Sequence, residues 1–381
     1  MTNNYSICYL DCNASTPVEP EVIKVMLQYL EHDFGNPSSR THEYGRMANQ
    51  AVQNARKQVA SVVGADKDEV IFTSGATESN NMVILGLAEA AEKQNKKHII
   101  SSQIEHKAIL EPLQELEKRG FEITLLPPTT GGWVDHKELK SALRDDTFLV
   151  SIMHVNNETG IIQPLEEYVS ILEGHPAYFH TDAAQGFGKE IETLKSKRID
   201  LISISGHKIY GPKGIGALIA RKRDYVRPPL KPIIFGGGQE RRLRPGTLAT
   251  HQIAGLGKAA ELASKNHKER RKKYLEIRAE IISSFKDLSP TLHGDLSRQA
   301  PHVLNISFGE IDSEAIILAL KNIAAISNGS ACNSSKYEIS HVLKAMKLNH
   351  SNLNSATRWS WSHLSILNNL NHVKINIGQL L

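Results

Sequence analysis

The chain has 381 residues, enough to bury one large hydrophobic core and a smaller second one. Hydrophobic residues make up 40 % and mean hydropathy is −0.31, and no stretch approaches the apolar length of a membrane span. Forty-five basic against 41 acidic residues leave a net charge of +4, too near balance for an extensive nucleic-acid surface.

In chain order, apolar spacing at Ala48, Ala51, Val52, Ala55, Val59 and Val62 predicts an amphipathic helix ahead of the first strand. Strands are then predicted at 70–73, 97–101, 121–126, 148–153, 177–181, 199–204 and 215–220, with helical stretches between them. Such alternation predicts an α/β fold with a mostly parallel sheet covered by helices on both faces, whose ligands bind at strand ends. From about Thr250 the pattern changes. A long charged helix over 251–287 leads to strands near 303–308, 323–327 and 356–361, a helix over 312–322 capped by Asp312, and a last helix from a Ser365 cap to Leu381. The expected division is a large domain over 15–255 and a small α+β domain made of 1–14 and 256–381, joined through a helix rather than a flexible linker. The basic run His267 to Lys273 reads as a solvated helix face.

Three strand ends carry chemistry. Val70 to Ser79 reads as a strand, a small-residue turn and a helix opening, which presents backbone N–H groups suited to a phosphate ester. Tyr178 to Gln185 reads as a strand ending in an acid. Pyridoxal phosphate needs a carboxylate opposite its ring nitrogen, a role that Asp182 fits, although a helix cap fits it too. Gln185, three residues on, is placed to touch the ring's phenolic oxygen. In SGHKIYGPKG (205–214), Lys208 follows a buried apolar run. Desolvation there lowers its pKa and suits it to form a Schiff base with an aldehyde, the alternative being a solvated lysine in a turn. Ser205 and His207 supply hydrogen-bonding groups beside it, and Gly206, Gly211 and Gly214 leave room for a large ligand. The order phosphate turn, acid, lysine points to pyridoxal phosphate.

With these motifs the chain resembles fold-type I pyridoxal phosphate enzymes of the class V aminotransferase group, and more narrowly the cysteine desulfurases of the IscS/NifS type. The resemblance runs from Tyr9-Leu10-Asp11 to about Arg358. It includes FGNPSSRTH (34–42), FTSGATESNN (72–81), EHKAIL (105–110), SIMHVNNETG (151–160), HTDAAQ (180–185), SGHKIYGPKG, GGGQERRLRPGT (236–247) and SNGSACNSS (327–335). It implies that Ala76, Thr77, Ser205 and His207 hold the phosphate, that His106 stacks on the ring and moves protons, and that Asn157 touches both cofactor and substrate. Arg358, on an alternating strand, reads equally as a structural ion pair or a bidentate carboxylate grip; the resemblance favours the grip on the substrate's α-carboxylate. Thr247 matches a residue that reaches a neighbouring subunit's phosphate, which implies a homodimer. Cys332 sits among small polar residues suited to an exposed loop, where a thiolate can take sulfur from L-cysteine as a persulfide and carry it to an acceptor protein while L-alanine leaves. Cys8 and Cys12 are expected to pack near the chain's start. Three cysteines without a signal-peptide pattern at Met1-Thr2-Asn3-Asn4 point to a reducing cytoplasm. No resident metal and no membrane or direct nucleic-acid contact is expected.

Selenocysteine lyase, a class V transaminase, and a scaffold without catalysis are the rival readings. A transaminase needs no Cys332, and a scaffold needs none of Lys208, Asp182, His106 and Arg358. For the sulfur's destination, SNGSACNSS, the Trp359 to His363 stretch and a terminus soon after one helix resemble the desulfurases of DNA phosphorothioation (Dnd or Ssp) systems. Iron–sulfur cluster assembly and tRNA thiolation are the alternatives.

Overall fold

The structure, a computed structural model, describes residues 7–328 and 339–381. Cys332 therefore lies outside the described residues. Twelve strands are described, β1 Cys8–Tyr9, β2 Val70–Thr73, β3 His98–Ser102, β4 Glu122–Leu126, β5 Thr147–Ser151, β6 Tyr178–Asp182, β7 Leu201–Ser205, β8 Gly216–Ala220, β9 Thr291–Leu292, β10 Val303–Ser307, β11 Ala324–Ala325 and β12 Thr357–Ser360.

Seven of them form one sheet in the order β2-β8-β7-β6-β5-β3-β4. The contiguous run β7-β6-β5-β3-β4 is parallel, and β8 runs antiparallel to both β7 and β2. This is the mostly parallel α/β sheet that the alternation predicts. Every residue of β2, β3, β5, β7 and β8 is buried, as expected when helices cover both faces. β4, at one edge, is the most exposed, and in β6 only Tyr178 is partly exposed. Helix Glu43–Val62 opens on His42, whose ring accepts from Gly45 N–H, and turns Ala48, Ala51, Val52, Ala55 and Val59 into the core.

The large-sheet strands fall within two residues of their expected bounds, while three features of the chain's second half differ. The helix expected over 251–287 is two, Thr250–Lys265 and His267–Ser284, broken at Asn266. The first of these contributes Leu256, Ala259, Ala260 and Leu262 to the large-sheet core. The basic run is not a uniform solvated face: Arg270 is buried and paired with Glu19 at 2.6 Å. The last helix spans Leu370–Gly378, because Asn369 enters it in a left-handed conformation (φ 70°) and the Ser365 hydroxyl instead accepts from Ser362 N–H.

A second hydrophobic cluster gathers Cys8 and Leu10 with Tyr274, Ile277, Ile281, Phe285, Trp359, Trp361, Val373 and Ile377. It surrounds the small sheet β12-β10-β9. The segment from Cys8 runs from the small sheet to the large one: β1 pairs with β11, Asp11 bridges to Ser360, and Asn13 Nδ2 donates to Asn157 O at 3.0 Å. Among the described residues no helix is long and apolar enough to cross a membrane.

Candidate active site

Strand β7 ends at Ser205 and tips at once into a short 3-10 turn, Gly206–Lys208. The turn closes because Gly206 N–H donates to Ile215 O at 2.9 Å and Gly211 N–H donates to Gly206 O at 3.0 Å. A Cβ on Gly206 would lie 2.9 Å from Pro212 O, and one on Gly211 would lie 2.9 Å from Gly206 O. These two glycines fold the loop against itself; ligand clearance, the reason inferred from sequence, is not what the structure gives them.

The folded loop aims Lys208 at the backbone of Asn13 and Ala14, its Nζ donating to both carbonyls, the second at 2.9 Å. Asn13 O also accepts from Gln185 Nε2 at 2.9 Å. Asp182 closes β6; its Oδ2 accepts from Asn80 Nδ2 at 2.7 Å and its Oδ1 from Ala184 N–H at 2.9 Å. These donors leave a carboxylate held in place at a buried strand end.

All of these side chains line one cavity of about 560 Å³. Ser74 to Thr77 and Asn80 form its phosphate-turn wall, and Ser205, His207 and Lys208 another. His106 contributes from the N-cap of helix Lys107–Glu117, where its Nδ1 accepts from Ala108 N–H at 3.0 Å. Asn157 and Arg358 close the side nearest the small sheet. Arg358 donates to Asp11 Oδ1 at 2.5 Å and to Asn157 O at 3.2 Å. The structural ion pair weighed for Arg358 is thus present, and the same guanidinium faces the cavity.

Ala76, Thr77, His106, Asn157, Asp182, Gln185, Ser205, His207, Lys208 and Arg358 come together there. Thr247 does not: it is exposed and lines no part of this cavity. Asn13 and Asn80 also line the cavity, and Asp11 holds Arg358; sequence reasoning assigned none of the three to the site. Asn13 and Asp11 stand in Leu10-Asp11-Cys12-Asn13, a polar break after an apolar start, and Asn80 one turn into the helix after the phosphate turn.

Burial sets the charge states. It pushes the Glu105 carboxyl, beneath His106, up to about 8, with Ser102 Oγ donating at 2.6 Å and Met153 N–H at 2.9 Å to Oε1. It pushes Glu158 up to about 7, where Ser340 Oγ donates to Oε2 at 2.5 Å. Burial, helped by Lys208 and Lys213, holds His207 down at about 4, so its ring is neutral at pH 7. Burial lifts Cys8 and Cys12 to about 11, which keeps both as packed, unreactive thiols.

The residues fit pyridoxal phosphate. Four buried polar atoms on cavity-lining side chains have no hydrogen-bond partner: Asn13 Oδ1, Asn80 Oδ1, Gln185 Oε1 and Arg358 Nε. They stand beside an amine, a fixed carboxylate and a turn of backbone N–H groups, the donor set that a phosphorylated pyridine aldehyde requires. Among the described residues no group of three His, Cys, Asp or Glu side chains is arranged for a metal ion.

Comparison with known proteins matches the aminotransferase class-V family over residues 8–373. The cysteine desulfurase IscS of Vibrio cholerae is 45 % identical over 360 residues, covering 94 % of this chain and 88 % of the relative. A NifS-like protein superposes with a TM-score of 0.90 at 34 % identity, over 98 % of each chain. DndA from Streptomyces lividans superposes with a TM-score of 0.82 at 45 % identity, over 92 % of this chain and 98 % of DndA.

Proposed function

The chain belongs to the aminotransferase class-V family, and from that premise we propose that it is a pyridoxal phosphate-dependent cysteine desulfurase. The observation that carries this reading is the shared cavity, in which the Lys208 amine, the Asp182 carboxylate and the Arg358 guanidinium face one space. When bound, the cofactor takes up the electron pair left by removal of an amino acid's Cα proton. With the cofactor bound, Asp182 would hold a compensating negative charge at the ring nitrogen, and Gln185 would contact the ring's oxygen. Gly75 to Thr77, with Ser205 and His207, would present donors to the phosphate.

For substrate, Arg358 would grip the α-carboxylate of L-cysteine and Lys208 would remove and return the proton at Cα, while His106 would stack on the cofactor. The thiolate of Cys332 then attacks the substrate's sulfur. The sum is one enzyme thiol and L-cysteine in, one enzyme persulfide and L-alanine out. Two observations support Cys332 in that role. Cys8 and Cys12 are buried thiols, which leaves one cysteine of three. Described residues near either side of 329–338 are tied to the cavity wall: Ser327 pairs with Arg358, and Ser340 donates to Glu158.

The experiment is Cys332→Ser. The variant is expected to keep the visible absorbance of bound cofactor and to release no sulfide from L-cysteine under reductant. A serine variant with wild-type turnover overturns the persulfide step, and alanine formation separates a desulfurase from a transaminase.

For the acceptor, the reading is a protein of the DNA phosphorothioation type, supported by the likeness to DndA and by the SNGSACNSS motif. Iron–sulfur assembly or tRNA thiolation is the second reading, supported by equal identity to IscS. Labelled sulfur chased from Cys332 into candidate acceptors decides between them. The exposed Thr247 fits a homodimer in which it serves the other subunit's phosphate. The free, buried Cys8 and Cys12 fit a reducing cytoplasm.

A further inference from the structure

We propose that the segment 236–247 is a clamp on the phosphate turn, and that Arg244, delivered by it, sets this site's preference for a phosphorylated cofactor. The proposal rests on the pyridoxal phosphate reading above and assigns roles to Glu240, Arg244 and Glu78 that the reaction itself does not require.

The segment contains three consecutive non-glycine residues in the left-handed region, Glu240 (φ 42°), Arg241 (φ 57°) and Arg242 (φ 66°). Side chains with a Cβ avoid that conformation, so a run of three persists only where surrounding contacts impose it. The contacts are at Glu240. Its buried carboxylate accepts from both terminal nitrogens of Arg56, at 2.8 and 2.5 Å, and from Phe72 N–H at 2.7 Å. Arg56 in turn donates to Val70 O at 2.6 Å and lies 4.6 Å above the Phe72 ring. Val70 and Phe72 belong to β2, the strand that delivers the turn.

The same segment reaches the turn's far side. Arg244 Nε donates to Glu78 Oε1 at 3.0 Å, and Glu78 Oε2 accepts from Ser74 N–H at 2.8 Å. Twelve residues therefore grip the strand before the turn through Glu240 and the first helical turn after it through Arg244. The electrostatic consequence follows from Glu78, whose side chain is only 10 % exposed. A phosphate entering the turn meets a carboxylate already bonded to one of the turn's own N–H groups, and the repulsion is poorly screened there. Arg244 offsets that charge. A cofactor without a phosphate brings no charge to the turn and is indifferent to Arg244.

The test uses the full-length protein freed of cofactor and titrated separately with pyridoxal phosphate and with pyridoxal, followed by visible absorbance. Arg244→Gln is expected to weaken pyridoxal phosphate about tenfold or more and pyridoxal less than about twofold. Arg244→Lys should recover much of the preference. Glu78→Gln, added to Arg244→Gln, should recover it as well by removing the repulsion. Glu240→Ala, which frees the strained segment, should lose the preference as Arg244→Gln does. Equal losses for both ligands in Arg244→Gln, or no recovery in the double variant, overturn the clamp while leaving the cofactor reading intact. Wild-type protein that binds neither ligand overturns both.

Discussion

Lys208, just past β7 and half-buried, and Glu105, just past β3 and fully buried, show how differently two strand ends treat ionisable groups. Lys208 keeps two backbone carbonyls as partners, and Lys208→Ala is expected to abolish the visible absorbance of bound cofactor while the far-ultraviolet spectrum stays native. Retained absorbance would remove the lysine from its assigned role. Glu105 is fully buried, and its carboxyl, raised to about 8, keeps its proton in the folded chain where the unfolded chain releases it near 4.5. The folded state therefore binds more protons between those values, and stability from this group is lost as pH rises through 8. Glu105→Gln preserves both accepted hydrogen bonds. It is expected to match wild type near pH 5 and to exceed it by a few kcal/mol at pH 9 in urea unfolding; superimposable pH profiles would refute the assignment. Residues of this kind were only partly legible in sequence. Asp182, Lys208 and Ser205 announce themselves by closing apolar strands. Asn13 does not, because its partner Lys208 is 195 residues away and a backbone carbonyl carries no residue signature. Asp11 meets Arg358 across 347 residues, a pairing that spacing alone does not reveal.

The strands and helices that position these residues were easier to read. Runs of Val, Ile, Leu and Phe between polar turns locate most of β2 to β8, since a strand buried on both faces, unlike the edge strand β4, has no polar side to blur it. The two-residue strands β1 and β9 are too short to show a period, and the left-handed Asn369 starts the last helix where no helical signal marks it. Gly216, at the start of β8, is an element-scale constraint that sequence also leaves silent. A Cβ there would stand 2.4 Å from Ile204 O and 2.6 Å from Gly75 Cα, both of them backbone atoms with no rotamer to yield. Gly216→Ala must therefore separate β8 from β7 or displace the phosphate turn. It is expected to cost about 1–3 kcal/mol and to shed cofactor during gel filtration. Full retention of absorbance at wild-type stability would show that the approach is not limiting.

At the scale of the whole molecule, we propose two units whose division lies at Asn266, with the segment through Cys8 and Leu10 returning to the smaller one. The composition change near Thr250 announces the second unit, and because the helix there packs on the large-sheet core, the boundary we propose comes one helix later. A buried polar seam joins the units behind Lys208. Glu19, ahead of helix Pro20–Glu31, accepts from Arg270 at 2.6 Å and stands 2.9 Å from His363, and Tyr210 shares a 2.8 Å hydrogen bond with Tyr274. Arg270 also lies 5.2 Å over the Tyr210 ring. Removing one member leaves Glu19 buried beside His363 alone, which in such settings costs about 3–5 kcal/mol. Arg270→Ala is therefore expected to destabilise the protein by that amount, and to do so by releasing the smaller unit first. Two of the three tryptophans, Trp359 and Trp361, are wholly buried in the small cluster, so their fluorescence reports that unit against the circular dichroism of the whole. In wild type the two signals should change together on urea titration; in Arg270→Ala the fluorescence should change first. Coincident transitions in the variant would mean that the seam does not couple the units, and that the apolar contacts between them suffice.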